Sequence, residues 1–208
     1  MIKAVIFDID GVLLDSFEAN FKFFQELLTE AGYNTPSREE FAPIFHLTMF
    51  DVIKILTKST SEKEIKRIWE MGRGNKINHH MGLLEIPKKA EATIRSLSKN
   101  YILGIATSRI REGIYRIPQL IKLKKYFKVA VSYQDTANHK PHPEPLLFAA
   151  KKLGVKPKEC VYIGDVENDF KAAKAAKMKV IIYSKIQFDR ADAYTSSFNK
   201  LPELIVAL

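Results

Sequence analysis

The run Val5-Ile6-Phe7-Asp8-Ile9-Asp10-Gly11-Val12 sets two aspartates directly behind a strand-like segment. Residues 2–7 are rich in β-branched and aromatic side chains and end at Asp8, which predicts a buried strand. Where extended geometry persists, side chains two residues apart point to one side, so Asp8 and Asp10 form a pair. Two adjacent negative charges repel, and such a site needs a cation or a proton. Mg²⁺ suits it, because this ion prefers oxygen ligands and takes few protein carboxylates. Gly11 permits a sharp turn behind the pair. The competing reading is two exposed loop aspartates.

Outward from this strand the apolar pattern recurs. Residues 101–106 end in Thr107, residues 128–132 form a shorter run, residues 160–163 lead into Gly164-Asp165, and residues 179–183 form a fifth run. Helical segments are predicted around 87–99, 111–125, 143–154 and 167–177. Strands alternating with helices predict an α/β fold, a Rossmann-like parallel sheet with helices on both faces. The alternation stops between residues 17 and 81. There, residues 17–31 are amphipathic with Gly32 as a stop, Ser37 caps a second helix with Glu40 at the capping-box position, and two more helical patterns lie near 49–57 and 61–77. These four helices predict an inserted helical cap over 16–82, with the core built from 1–15 and 83–208.

Open parallel sheets bind ligands at the carboxyl ends of their strands, near the point where strand order reverses. That rule directs attention to Asp8, Asp10, Thr107, Ser108 and Asp165. Small hydroxyl residues at a strand end hold a phosphate oxygen by side chain and backbone N–H, although Thr-Ser in this place also serves as a helix cap. Lys140, set in His139-Lys140-Pro141-His142-Pro143, is held among prolines and offers a positive charge to a phosphate. Asp165 and Asp169, four apart behind a strand, are suited to completing a magnesium site and bracing it. Arg109 and Arg111 either contact an anionic substrate or begin a helix, with Arg109 the stronger candidate because it follows the Thr107 strand end.

Taken together and in this order, the pieces resemble the haloacid dehalogenase superfamily of phosphohydrolases. Asp8-Ile9-Asp10-Gly11-Val12 with Asp15-Ser16 is similar to the first motif, Thr107 to the second, Lys140 to the third, and Asp165 with Asp169 to the fourth. The helical insertion stands where the type-1 caps of that superfamily stand. The run from Lys140 to Pro145, followed by Tyr162-Ile163-Gly164-Asp165, resembles the phosphoglycolate phosphatase and β-phosphoglucomutase branch.

The resemblance implies roles. Asp8 would be the nucleophile that becomes an aspartyl phosphate, and Asp10 the general acid and then the general base. Thr107, Lys140 and the backbone N–H of Ser108 would bind the transferring phosphoryl group. Mg²⁺ would be held by the Asp8 carboxylate, the main-chain carbonyl of Asp10 and Asp165, with Asp169 behind them. The implied activity is a Mg²⁺-dependent phosphatase for a small phosphorylated metabolite, a phosphoglycolate-like or sugar-phosphate-like monoester. A sugar-phosphate mutase of the β-phosphoglucomutase type and a non-catalytic binding protein on the same scaffold are the alternatives. The presence of Asp10 argues against dehalogenation.

Composition sets the remaining bounds. The chain has 208 residues, 46% of them hydrophobic, enough for a sizeable core, and a formal net charge of +9. The lysines and arginines are scattered, so the charge reads either as solvated helix faces or as a field that draws anionic substrates inward. No basic stripe with interleaved aromatics is present, and no nucleic-acid partner is expected. The lone Cys160 precedes an apolar run and reads as a buried structural thiol. No signal-peptide pattern or membrane-length apolar run occurs. These features predict a cytoplasmic monomer or homodimer without a membrane partner. Walker and GxGxxG fingerprints are absent. His79-His80 reads as a solvated cap boundary. His46, between cap helices where relatives often carry glycine, reads as a substrate-sensing residue or as a surface loop residue.

Overall fold

The computed structural model describes residues 1–74 and 76–208. The chain divides into two compact units, one formed by Met1–Asp15 with Glu85–Leu208, the other by Ser16–Leu84. Each unit is described by itself.

The first unit is built on a six-stranded parallel sheet: β1 (Ala4–Phe7), β2 (Ile102–Ala106), β3 (Phe127–Val131), β4 (Cys160–Gly164), β5 (Lys179–Tyr183) and β6 (Ala193–Thr195), in the order β3-β2-β1-β4-β5-β6. Both immediate neighbours of β1 pair with it in register: Phe7 lies opposite Ile105 on β2 and Ile163 on β4. Every side chain of β1 and β4 is buried, as expected for central strands of a sheet covered on both faces. The strand order reverses at β1. Asp8, Thr107 and Asp165 therefore leave three adjacent strands at the same carboxyl edge.

The described residues of the second unit form helices and no strand: α1 (Phe17–Glu30), α2 (Arg38–Phe41), α3 (Met49–Thr57) and α4 (Glu62–Arg73). Its core gathers Phe23, Phe24, Leu27 and Leu28 of α1 against Phe41, Val52, Ile53, Ile65 and Ile68. Phe41 is fully buried and lies 5.3–6.4 Å, centroid to centroid, from the rings of Phe17, Phe21, Phe24 and Phe45. The capping box read from the sequence forms: Ser37 N donates to Glu40 Oε2 at 2.8 Å and Glu40 N donates to Ser37 Oγ at 3.2 Å. The helix expected over 61–77 ends at Arg73, and its expected course includes Asn75, which lies outside the described residues. The expected α/β core with an inserted helical cap is the architecture found.

The remaining helices of the first unit are α5 (Ala90–Leu97), α6 (Arg111–Tyr115), α7 (Pro118–Leu123), α8 (Glu144–Leu153), α9 (Glu167–Ala175) and α10 (Leu201–Val206). Two features differ from the sequence reading. The single helix expected over 111–125 is two short ones, because Pro118 lacks an N–H and forces Ile117 out of helical geometry, to φ −88° and ψ 112°. Beyond residue 183 the sheet gains β6, paired in parallel with β5, and the chain ends in α10. No helix among the described residues is long and apolar enough to cross a membrane.

Candidate active site

The loop behind β1 is held from below. Ile9, Val12, Leu13 and Leu14 are fully buried, and Gly11 N and Leu14 N close the turn onto Leu14 O and Ile9 O at 2.9 Å each. Gly11 adopts φ +75°, and a Cβ there would lie 1.9 Å from Asp165 Oδ2. Only glycine satisfies both demands, so Asp165 reaches the loop because residue 11 has no side chain. Gly164 plays the same part for Asp169, whose Cβ lies 2.3 Å from where a Gly164 Cβ would be.

Asp8 is buried at the end of β1. Its Oδ1 accepts from Ile9 N at 2.7 Å, and its Oδ2 accepts from Lys140 Nζ at 2.8 Å. Lys140 also donates to Asp169 Oδ1 at 2.7 Å and to the Tyr162 hydroxyl oxygen at 3.0 Å. The loop that delivers Lys140 is braced. Glu144 accepts from Ala137 N and Asn138 N at 3.1 and 3.0 Å, and His139 stacks on Tyr133 with ring centroids 4.0 Å apart.

One oxygen from each of Asp8, Asp165 and Asp169 lies within 4.8 Å of the others. Asp169 has no solvent exposure, and both its oxygens already accept: Oδ1 from Lys140, Oδ2 from Asp165 N at 3.0 Å and from Val166 N at 3.4 Å. Of the three acids it is the one fixed from behind, while Asp8 and Asp165 present oxygens with fewer partners.

The electrostatics follow from this crowding. Burial pushes the Asp8 carboxyl up to about 7, with Lys140 pulling against it and Asp169 adding to it. Burial, then the charges of Asp169 and Asp8, raises Asp165 well above its ordinary value. Burial opposes the Lys140 charge, but Asp169 and Asp8 outweigh it and raise Lys140 well above its ordinary value. Three carboxylates thus face one ammonium. The cluster of Asp8, Asp165 and Asp169 is capable of coordinating a divalent cation, which would answer that imbalance, and an all-oxygen donor set suits a hard ion.

The other expected residues are placed as follows. Thr107 is buried behind β2; its N–H donates to Val131 O at 3.0 Å and its Oγ1 accepts from Arg109 N at 3.2 Å. Ser108 is half-buried beside it. Arg109 meets Asp10 through two bonds, Nε to Oδ2 at 2.7 Å and Nη2 to Oδ1 at 2.6 Å. The sequence reading set Asp10 against the negative charge of Asp8; in the structure a guanidinium also faces it. His46 belongs to the helical unit, where its ring meets Phe45 edge-on. Cys160 is buried, and burial pushes its thiol up to about 11, in keeping with a structural role. The hydroxyl of Tyr162 is the site group that sequence reasoning missed. A tyrosine inside a fully buried strand needs a partner for its O–H, and that requirement is the signal that marks it.

Comparison with known proteins agrees with this geometry. A family model described as haloacid dehalogenase-like hydrolase matches residues 5–183. Pyrophosphatase PpaX of Bacillus cereus (strain G9842) is 31% identical over 212 residues, covering 100% of this chain and 96% of that protein. Among solved structures, a HAD-superfamily hydrolase of subfamily IA from Geobacter sulfurreducens superposes with a TM-score of 0.72 at 26% identity, covering 98% of this chain and 96% of that one. β-Phosphoglucomutase from Clostridium difficile superposes with a TM-score of 0.82, covering 100% of this chain and 96% of that one; at 23% identity this likeness concerns the fold.

Proposed function

The chain belongs to the haloacid dehalogenase-like hydrolase family, and we propose that it is a Mg²⁺-dependent phosphatase that opens a small phosphorylated metabolite through an aspartyl phosphate on Asp8. The observation that carries this reading is the setting of Asp8, a buried strand-end carboxylate held by Lys140 and grouped with Asp165 and Asp169.

In the proposed reaction an Asp8 oxygen attacks phosphorus, a P–O bond forms, and the bond from phosphorus to the leaving oxygen breaks. Asp10 gives the leaving oxygen a proton. Asp10 then takes a proton from water as that water attacks the phosphoenzyme, releasing inorganic phosphate and restoring Asp8. Lys140, the Thr107 hydroxyl and the Ser108 N–H hold the phosphoryl oxygens and match the negative charge that gathers on them. Asp8, Asp165 and the Asp10 main-chain carbonyl would hold Mg²⁺, which when bound neutralises charge between the nucleophile and the phosphoryl oxygens. Asp169 braces Lys140 and the Asp165 backbone. Arg109 and His46 are the proposed contacts to the rest of the substrate. Covalent capture divides one hard displacement into two easier ones.

A second substrate class, inorganic pyrophosphate, is favoured by the 31% identity to the PpaX pyrophosphatase along the whole chain. The same residues serve it, with phosphate in place of an alkoxide as the leaving group.

The test is phosphate release from a panel of phosphorylated metabolites and pyrophosphate, with Mg²⁺ and with EDTA. The reading expects Mg²⁺-dependent release from at least one compound, abolished by Asp8→Asn. Release that survives Asp8→Asn contradicts it.

A further inference from the structure

Tyr162 is a fully buried group that the reaction above leaves unused. It stands in the middle of β4, in the run Cys160-Val161-Tyr162-Ile163-Gly164, among side chains that are otherwise buried and weakly polar or apolar. The ring packs as a hydrophobe, and phenylalanine would pack equally well. The hydroxyl is what needs explaining.

Its oxygen has three neighbours: Lys140 Nζ at 3.0 Å, the Ala106 carbonyl oxygen at 3.0 Å and Asp169 Oδ1 at 3.3 Å. A phenol has one proton to give and accepts through its oxygen. Lys140 donates to it; it donates to Ala106 O, the shorter of the two remaining distances. Ala106 directly precedes Thr107. One hydroxyl thus joins the lysine, the strand end that carries the phosphate-binding threonine, and the edge of the carboxylate cluster.

Lys140 has three N–H donors, and all three are used, on Asp8, Asp169 and Tyr162. A phosphoryl group beside Asp8 can be met only if one of these donors turns to it. The two bonds that stay then fix where the ammonium stands. Asp169 is an anion, and it competes with the phosphoryl oxygens for the same positive charge. Tyr162 is neutral and fixes direction without that competition.

We propose that the Tyr162 hydroxyl is a positioning group for phosphoryl transfer, holding the Lys140 ammonium and the Ala106–Thr107 strand end in mutual register. This rests on the reading of Lys140 as the lysine that binds the phosphoryl group.

The test is a double-mutant cycle on the full chain with Mg²⁺, using Tyr162→Phe, Lys140→Met and the double variant, with an aryl phosphate as substrate and Asp8→Asn as control. Orthovanadate binding, measured by calorimetry, repeats the cycle without turnover. Tyr162→Phe is expected to lower kcat about tenfold with KM within about twofold, the loss of one hydrogen bond to a charged group. In the Lys140→Met background the same change is expected to cost less than about twofold, because the group it positions is gone. Melting temperature should fall in both backgrounds, since Ala106 O loses its donor either way, and fall further where Lys140 also loses an acceptor. A kcat for Tyr162→Phe within twofold of the wild type, or equal losses with and without Lys140, overturns the proposal. Activity surviving Asp8→Asn rejects the phosphatase mechanism itself, a separate failure.

Discussion

Arg109 grips the Asp10 carboxylate with two nearly equal bonds, 2.7 Å from Nε to Oδ2 and 2.6 Å from Nη2 to Oδ1, across 99 residues of sequence. Both side chains are largely withdrawn from solvent. The Arg109 backbone is tied as well, its N–H to Thr107 Oγ1 at 3.2 Å and its carbonyl to Tyr133 N at 2.8 Å. The fork therefore has a fixed origin, and it fixes Asp10 on the Thr107 side of the site.

A two-pronged guanidinium bond uses both carboxylate oxygens as acceptors. That is the form the proposed mechanism requires of Asp10 when it takes a proton from attacking water. Arg109→Leu is accordingly expected to slow hydrolysis of the phosphoenzyme by about tenfold or more, within the range of general-base effects, and to slow its formation less. Rapid-quench kinetics on an aryl phosphate should then show a product burst that is larger than in the wild type. Equal slowing of both steps contradicts this division.

Asp8 gives a pH dependence with a definite sign. Its folded-state pKa, raised by burial to about 7 from 3.8, means that the metal-free protein holds a proton which the unfolded chain has released across that window. Stability of the metal-free protein should fall as pH rises from about 4 through 7. Mg²⁺ competes with the same proton, so its apparent affinity should weaken below pH 7, approaching about tenfold per unit if one proton is exchanged. Calorimetric titration from pH 5.5 to 8 measures the slope; a flat profile shows that metal binding displaces no proton from Asp8.

Gly11 offers a structural test of the same centre. Alanine there strains a φ of +75° and sets a methyl 1.9 Å from Asp165 Oδ2. Gly11→Ala should displace Asp165 and weaken Mg²⁺ binding by about 10–100-fold, the usual scale for disturbing the support of a metal ligand. Unchanged affinity in a folded Gly11→Ala protein argues that Asp165 is not a ligand.

Asp165 and Asp169 should separate when each becomes asparagine. Asp169 accepts from Lys140 and from two backbone N–H groups while wholly buried, so Asp169→Asn places an N–H₂ against donors and leaves Lys140 short of an anion. That variant should lose about 3–5 kcal/mol of stability, the scale for breaking a buried pair. Asp165 is a crowded carboxyl with its pKa raised by burial and neighbouring acids. Asp165→Asn should leave the melting temperature of the metal-free protein unchanged or higher while abolishing tight Mg²⁺ binding. Denaturant melts with and without Mg²⁺ distinguish the two patterns.

Much of this was legible in the sequence, for physical reasons that also explain the gaps. The central strands β1 and β4 are buried on both faces and read as unbroken apolar runs ending in acids, so their positions and the acids at their ends were both visible. β6 is three residues, Ala193-Tyr194-Thr195, paired on one side only, and so short a strand has no periodicity to detect. The break at Pro118 is readable from the N–H that proline lacks, and the helix expected over 111–125 runs across it. Side-chain partners were the hardest to foresee. Nothing local tells that Arg109 meets Asp10, because the parallel sheet brings residues 99 apart together at its edge. Tyr162 was hidden for the opposite reason: its ring matches its apolar neighbours, and only its hydroxyl departs from them.

The central claim is the division of labour between Asp8 and Asp10, and acid-quenched mass spectrometry after incubation with an aryl phosphate and Mg²⁺ tests it most directly. Asp10→Asn retains the nucleophile, and an aryl leaving group needs little protonation, so this variant should form the phosphoenzyme and fail to hydrolyse it. Without general-base help its breakdown should slow by about 10²–10⁴-fold. The account predicts a phosphoryl adduct on Asp8 in Asp10→Asn and none in Asp8→Asn. A phosphoryl group on any other residue, or an adduct trapped equally by both variants, would contradict it.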